Sequence, residues 1–468
     1  MALRRPAGRR LLPAASAFLV AFAVYFAAED HMGQPTVGDE PHYVLEAHSL
    51  AEDGDRDLAD EYRDRALWSK FFTFPVLSPD LQAFDYTGHG LISVHNIGLP
   101  ALVAPAAALS DKVRPIRIEL VLIAAFAAAM LLGLLRDLRL AGPVWTAVVW
   151  AFVAFSAPLT MFAGEVYPEV AAAALMLVGV RAALRGPASR GWLAAGSLAA
   201  AAMPWLHVRF TLLAVGIVAA IALRCWPARR DTGWGPVALA VAPLLVSLAV
   251  MAIAFQAWYG SPLLNAQYGG PVPEGFASHT DRRFLYGVGL GQLLSPEFGL
   301  LPVTPVAILA LAAIPLTWRR YGWWGAYATA VAAAYAAVCF TGNTGTAFPA
   351  RFLVVLLPLA AVPLLVAVAD APVVRPVLVL LGLAGFAFAL DGVYHPGEWY
   401  NLNDGLIDTP LGRRTHAAWP RMLSAPSESD RYPGGALAAV WLAWIAFAAA
   451  LLYAARRPRT QHRAPRAV

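Results

Sequence analysis

Ile97-Gly98-Leu99-Pro100-Ala101-Leu102-Val103-Ala104-Pro105-Ala106-Ala107-Ala108-Leu109-Ser110 is the stretch on which the topology of the chain turns. It is apolar, yet at 14 residues, with Pro100 and Pro105 inside it, it falls short of the ~20 that a helix needs to cross a hydrocarbon core. It reads as re-entrant or interfacial rather than spanning. Counted as a span, it would invert every later helix and put Arg136, Arg139 and Arg181–Arg190 on the opposite face.

Working outward, apolar runs fit for spanning lie near 11–28, 116–135, 143–161, 168–184, 192–204, 208–224, 236–258, 300–317, 323–340, 351–369, 374–393 and 437–455. The pair 192–204 and 208–224 is one apolar run broken at Pro204-Trp205-Leu206-His207, which predicts a tight hairpin with a short first limb. The expected fold is therefore an all-α integral membrane protein of about 12 helices, both termini cytoplasmic, with interfacial helices in the first outer loop, 29–115. Charge supports it. The inner segments collect 20 of the 35 basic residues and only three of the 30 acids, Asp137, Asp231 and Asp370. Basic residues concentrate in short cytoplasmic loops. The first run could instead be a signal peptide, but it is longer than a usual signal core and reads as a retained helix. Residues 1–393 form the expected membrane module, and 394–468 add an outer loop, a last helix and a basic tail.

Composition agrees. Of 468 residues, 59% are hydrophobic and 14% charged, with a mean hydropathy of +0.58, against about 25% charged in a typical soluble domain. An ordinary soluble enzyme, a disordered chain and a charge-driven nucleic-acid binder are excluded. The two cysteines, Cys225 and Cys339, fall at opposite faces of the expected topology and make no metal motif.

Because span interiors carry almost no charge, polar chemistry must be built at the outer ends. Four places offer it. Gly38-Asp39-Glu40-Pro41-His42-Tyr43 opens the first outer loop and a short surface helix. Asp39 reads as its N-cap or as half of a paired acidic motif near the membrane, and the two roles can coexist. Gly164-Glu165-Val166-Tyr167-Pro168-Glu169 places two carboxylates four residues apart at a helix start. Such acids are favoured by the helix N-terminus, but Glu169 also enters the span and needs a polar cavity there. His207 and Arg209 sit at the hairpin tip, where an arginine either snorkels to headgroups or binds an anion. The turn Thr341–Thr346 runs to Pro349-Ala350-Arg351, a glycine-rich backbone beside a cation that suits a phosphate. The run Glu52-Asp53-Gly54-Asp55-Arg56-Asp57 lacks the twelve-residue calcium pattern and reads as a solvated turn. Trp399-Tyr400 and Trp419 read as an interfacial belt or as a cover over the site.

Carboxylates and arginines at one membrane face suit sugar transfer from a lipid-linked phosphate. The leaving phosphate is a stable anion, so the reaction needs a base for the acceptor hydroxyl and cations for the departing charge. The acidic pair Asp39-Glu40 after the first helix resembles that of the GT-C superfamily of membrane glycosyltransferases, specifically the bacterial protein-mannosyltransferase and aminoarabinose-transferase type. Trp258–Leu263, Leu294–Leu301 and Pro349–Leu353 resemble the same group, over roughly 11–370. The resemblance implies a polyprenyl-phosphate sugar as donor, membrane lipids as surroundings and no nucleic acid, with the site on the extracytoplasmic side of the plasma membrane. It implies Asp39 as base with Glu40 beside it, Glu165 and Glu169 as the second acidic element, and Arg351, Arg209 and His207 on the donor phosphate. His42, Tyr43 and Tyr167 follow as substrate contacts. No residue cluster demands a metal, though a divalent ion is compatible with the superfamily. The alternative is a multi-pass lipid or solute transporter, which predicts internal repeats and midplane polar residues.

Overall fold

The computed structural model describes residues 8–72, 81–269, 292–293, 299–339 and 347–399, and isolated residues between 445 and 453. The expected last span, 437–455, the turn Thr341–Thr346, the stretch Leu294–Phe298, and Tyr400 and Trp419 lie almost wholly outside the described residues.

The described residues are helical nearly throughout. The chain opens with α1 (Gly8–Met32), then α2 (Glu40–Glu52), α3 (Ala59–Arg63), α4 (Arg65–Trp68) and α5 (Gly98–Ala107). The short strands β1 (Ala83–Phe84) and β2 (Ile92–Ser93) pair antiparallel, Ala83 opposite Ser93 and Phe84 opposite Ile92. There follow α6 (Arg114–Leu138), α7 (Pro143–Ala154), α8 (Ala157–Met161), α9 (Pro168–Arg185), α10 (Arg190–Leu206), α11 (Thr211–Cys225), α12 (Arg229–Thr232) and α13 (Gly235–Tyr259). After them come α14 (Leu300–Val303), α15 (Val306–Ala312), α16 (Ile314–Tyr321), α17 (Trp323–Cys339), α18 (Leu357–Asp370), α19 (Arg375–Tyr394) and α20 (Pro396–Trp399). Proline at the first turn of α2, α6, α7, α9 and α13 starts helices where its missing N–H costs nothing.

Among the described residues, six helical stretches are long and apolar enough to cross a membrane: 12–32, 114–138, 168–188, 208–225, 235–259 and 372–394. The chain is an all-α membrane protein. Leu245, Val246, Val250 and Ile253 of α13 and Leu380, Leu383 and Leu390 of α19 stay exposed, the pattern of helices whose outer faces meet lipid. Inside, α6 packs between α1 and α9, and α10 lies along α9 and α13. These interfaces are built from Ala124, Ala125, Ala128, Ala171–Ala174 and Ala200, all buried. Small side chains let helix backbones approach where no hydrophobic drive separates protein from lipid.

Three expectations change. The hairpin's first limb is not short: α10 runs 17 residues, through Pro204 and Trp205, and breaks only at His207, whose φ and ψ are extended. Within a helix a proline kinks rather than stops the chain when neighbouring helices re-satisfy the backbone. The stretches expected as spans at 143–161, 300–317 and 351–369 are broken, the first into α7 and α8, the second into α14–α16 and the third into a 3-10 turn at Arg351–Leu353 followed by 14-residue α18. Nor is α2 a surface helix: every residue from Glu40 to Ser49 is buried, because α5 covers it.

The short helix α5 is ten residues long, in keeping with a segment that does not span. Its first residue, Gly98, touches α10: an added Cβ would sit 2.4 Å from the carbonyl carbon and oxygen of Trp205. Gly98→Ala must therefore separate α5 from α10 and should cost about 1–3 kcal/mol. Gly142→Ala, with nothing within 4 Å and φ −63, should leave thermal unfolding of the detergent-purified protein unchanged.

Candidate functional site

Four segments far apart in sequence meet at one end of the helix layer. Gly38, at φ 59, turns the chain into α2 and puts Asp39 at its N-cap position. The expected cap does not form: Asp39 is helical in φ and ψ and makes no side-chain capping bond. Its carboxylate turns outward from the helix and accepts a hydrogen bond from Arg351 Nη2 at 2.7 Å. Arg351 follows Ala350, a residue held at φ 65, a conformation that costs a non-glycine residue of order 1 kcal/mol. The same guanidinium donates from Nε to Glu169 Oε1 at 3.4 Å and lies 3.9 Å over the Tyr167 ring. Glu169 in turn accepts from Arg209 Nη2, whose guanidinium stacks 4.1 Å from the Phe352 ring centroid. Arg209 does not snorkel to the surface; Glu169 draws it inward.

The result is an alternating chain, Asp39–Arg351–Glu169–Arg209, with formal charge zero. Glu169 is wholly buried, and only Asp39 keeps appreciable access, 26% of its side chain. Burial alone would raise the Asp39 pKa. The Arg351 charge and hydrogen bond outweigh it, and the carboxyl is held well below the usual carboxylate range. His207 stands at the rim: its Nδ1 accepts from the Arg209 N–H at 3.2 Å, and its Nε2 is 3.4 Å from the Tyr268 hydroxyl.

Behind this chain lies a second cluster. Glu40 is fully buried and accepts from the backbone N–H of Val37 at 2.9 Å and of Val166 at 2.8 Å. It thereby ties the start of α2 to the loop before α9. Arg117 Nη2 is 3.7 Å from Glu40, and its Nη1 donates to Glu29 at 2.9 Å and to the Gln34 carbonyl at 2.7 Å. Glu165 meets Glu40 directly; burial first, then the Glu40 charge, pushes its carboxyl far above the ordinary value. Three acids around one guanidinium cannot all ionise, so Glu165 holds a proton. Glu29 and Arg117 also line a neighbouring cleft of about 570 Å³ with Lys70, Asp111 and Arg114.

His42, Tyr43 and Tyr167 are drawn into the interior. His42 Nδ1 pairs with the Tyr62 hydroxyl at 2.6 Å, the Tyr43 ring lies tilted against the His95 ring at 4.5 Å, and Tyr167 donates to the Val37 carbonyl at 3.1 Å. They position the site rather than face its accessible edge. Burial, then His95, lowers the His42 pKa to about 3, and burial lowers that of His95 to about 4 against the pull of Asp39. Trp399, expected in an interfacial belt, is instead 1% exposed and donates to Asp391 at 2.9 Å.

The sequence reading missed Arg117, Glu29, His95 and the buried pair Arg56–Glu46, in which Arg56 Nε donates to Glu46 at 2.6 Å. Arg117 carried a signal, a charge one turn into an apolar run, but its partners could be named only once α1 and α6 were packed. No family model, curated protein or solved structure matches the chain.

Removing one partner of a desolvated ion pair typically costs 3–5 kcal/mol. Arg351→Met should lower stability by about that amount, read by thermal or denaturant unfolding. Arg351→Lys should recover little, since an ammonium cannot fork between two carboxylates. A separate effect concerns pH. With His95 at about 4 in the fold and ~6.5 unfolded, protons favour the unfolded chain as pH falls from 6.5 to 4. His95→Gln should therefore gain stability relative to wild type across that window and show a constant offset above pH 7. Asp39, depressed in the fold, contributes stability that is lost only below its unfolded value of ~3.9.

Proposed function

We propose that the protein is a GT-C-type glycosyltransferase that moves a sugar from a polyprenyl-phosphate donor to a lipid, glycan or protein acceptor. The observation that carries this reading is the contact between a partly accessible carboxylate, Asp39, and a buried guanidinium, Arg351. The reading includes a 12-helix topology with both termini cytoplasmic, residence in the plasma membrane, and a site on the extracytoplasmic side. The short inner loops rich in arginine support that orientation.

In the reaction, the acceptor oxygen forms a bond to the anomeric carbon while the bond from that carbon to the phosphate oxygen breaks. The electron pair leaves with the phosphate, and the acceptor proton passes to Asp39. Arg351 stabilises the departing anion, with Arg209 as a second cation and the neutral His207 imidazole as a hydrogen-bonding group at the rim. The free site holds Asp39 too acidic to be an effective base. An arriving phosphate competes for Arg351, loosens its hold on Asp39 and raises the carboxylate's basicity only when donor is present. Glu40 serves as a scaffold in this scheme: both its oxygens already hold backbone N–H groups. Tyr167 supports the Arg351 guanidinium from below.

Asp39→Asn should lower transfer of radiolabelled sugar from polyprenyl phosphate in reconstituted vesicles by about 10²–10⁴-fold, the usual contribution of a general base, with expression unchanged. Full transfer by that variant refutes the assigned role. A protein that moves the labelled lipid between leaflets with its sugar still attached is a transporter, and the glycosyltransferase reading then fails.

A further inference from the structure

A second polar centre lies at the opposite end of α2 from Asp39, about 20 Å away along a 13-residue helix. The acidic run 52–57 is an exposed turn over Glu52 to Asp55, closed by buried Arg56. Two of its acids build the loop: Asp55 Oδ1 accepts from the Asp57 N–H at 3.0 Å, and Asp57 Oδ1 accepts from the N–H groups of Ala59 at 3.1 Å and Leu91 at 2.8 Å. Asp53 takes no such part. It converges with Asp60 and Glu61 of α3, and one oxygen from each lies within 4.8 Å of the other two.

We propose that Asp53, Asp60 and Glu61 form a binding site for a hard divalent cation of the calcium class. Clustered surface acids alone would not carry this; Glu61 does. Its side chain is 4% exposed, and neither carboxylate oxygen has a hydrogen-bond partner. A buried carboxylate left without donors is costly, and here it is aimed at two further carboxylates that remain open to solvent.

The geometry selects the ion. Oxygens bound to one calcium at 2.3–2.6 Å lie at most roughly 5 Å apart, which matches the observed spread. Magnesium, at about 2.0–2.1 Å and demanding octahedral order, would require the carboxylates to close in. Exposed Asp53 and Asp60 give an entry path, and Glu61 forms the floor. A bound ion would clamp the end of α2 to α3 and so brace the helix whose first turn carries Glu40. The site is independent of the sugar-transfer reading and stands or falls separately.

The test uses the full-length protein in detergent, stripped with chelator and then titrated with CaCl₂ or MgCl₂. Calcium near 1 mM, the range of about 10⁻⁴–10⁻³ M typical of extracellular sites, should raise the unfolding temperature by several degrees, and magnesium should do less. Terbium, a calcium surrogate, should show emission sensitised by Tyr62, the neighbour of Glu61, and calcium should displace it. Glu61→Gln, which removes an unpaired buried charge and so should fold, is expected to cut terbium emission at least fivefold and abolish the calcium shift. Asp53→Asn, at an exposed position, should weaken both. No calcium response in wild type up to about 10 mM overturns the proposal, as does an unchanged response in both variants.

Discussion

The desolvated guanidinium of Arg351 is the constraint around which the site is organised. A cation taken from water into a protein interior loses several kcal/mol of hydration, and only well-placed counter-charges and hydrogen bonds recover it. Here the recovery needs Asp39 from the turn before α2, Glu169 from the first turn of α9 and the Tyr167 ring from the residue preceding that helix. Those three pieces converge only if α1, α6 and α9 pack in their observed order. Arg351 is carried on a 3-10 turn directly after left-handed Ala350.

Asp39 and Glu40 are neighbours in sequence and opposites in chemistry. One reaches the accessible edge and is held ionised by a full positive charge. The other is sealed behind it, bonded to two backbone amides and pressed against a protonated Glu165. The same residue class takes different roles because environment, not identity, sets which carboxyl keeps its proton. Separating an ionised acid from a proton-holding pair by a single peptide unit gives the region two acid–base characters. His42, expected as a substrate contact, and His95, which the sequence reading missed, are both buried and neutral.

Much of the architecture was legible before folding. Apolar runs of the right length and prolines at helix starts marked most of the helices, and the 97–110 stretch gave a short helix as its length implied. The failures share a cause. A cap assigned to Asp39, a surface position assigned to α2, a snorkelling Arg209, a broken hairpin limb at Pro204 and a belt role for Trp399 all came from local rules. Each was overridden by a packed partner, from 8 residues away for Trp399 and Asp391 to 312 for Asp39 and Arg351, or by a covering helix. The 52–57 run is the solvated turn its composition implies, except that Arg56 folds inward onto Glu46.

By itself the sequence determined that this chain is an all-helical membrane protein with its polar residues gathered in a few segments, because hydrocarbon tolerates only helices and closed barrels and the apolar runs here have helix length. Tertiary structure alone decided which charges meet. Pairing depends on Coulomb and hydration terms that act over a few ångströms, and sequence separation carries no information about distances of that scale between residues 39, 169, 209 and 351.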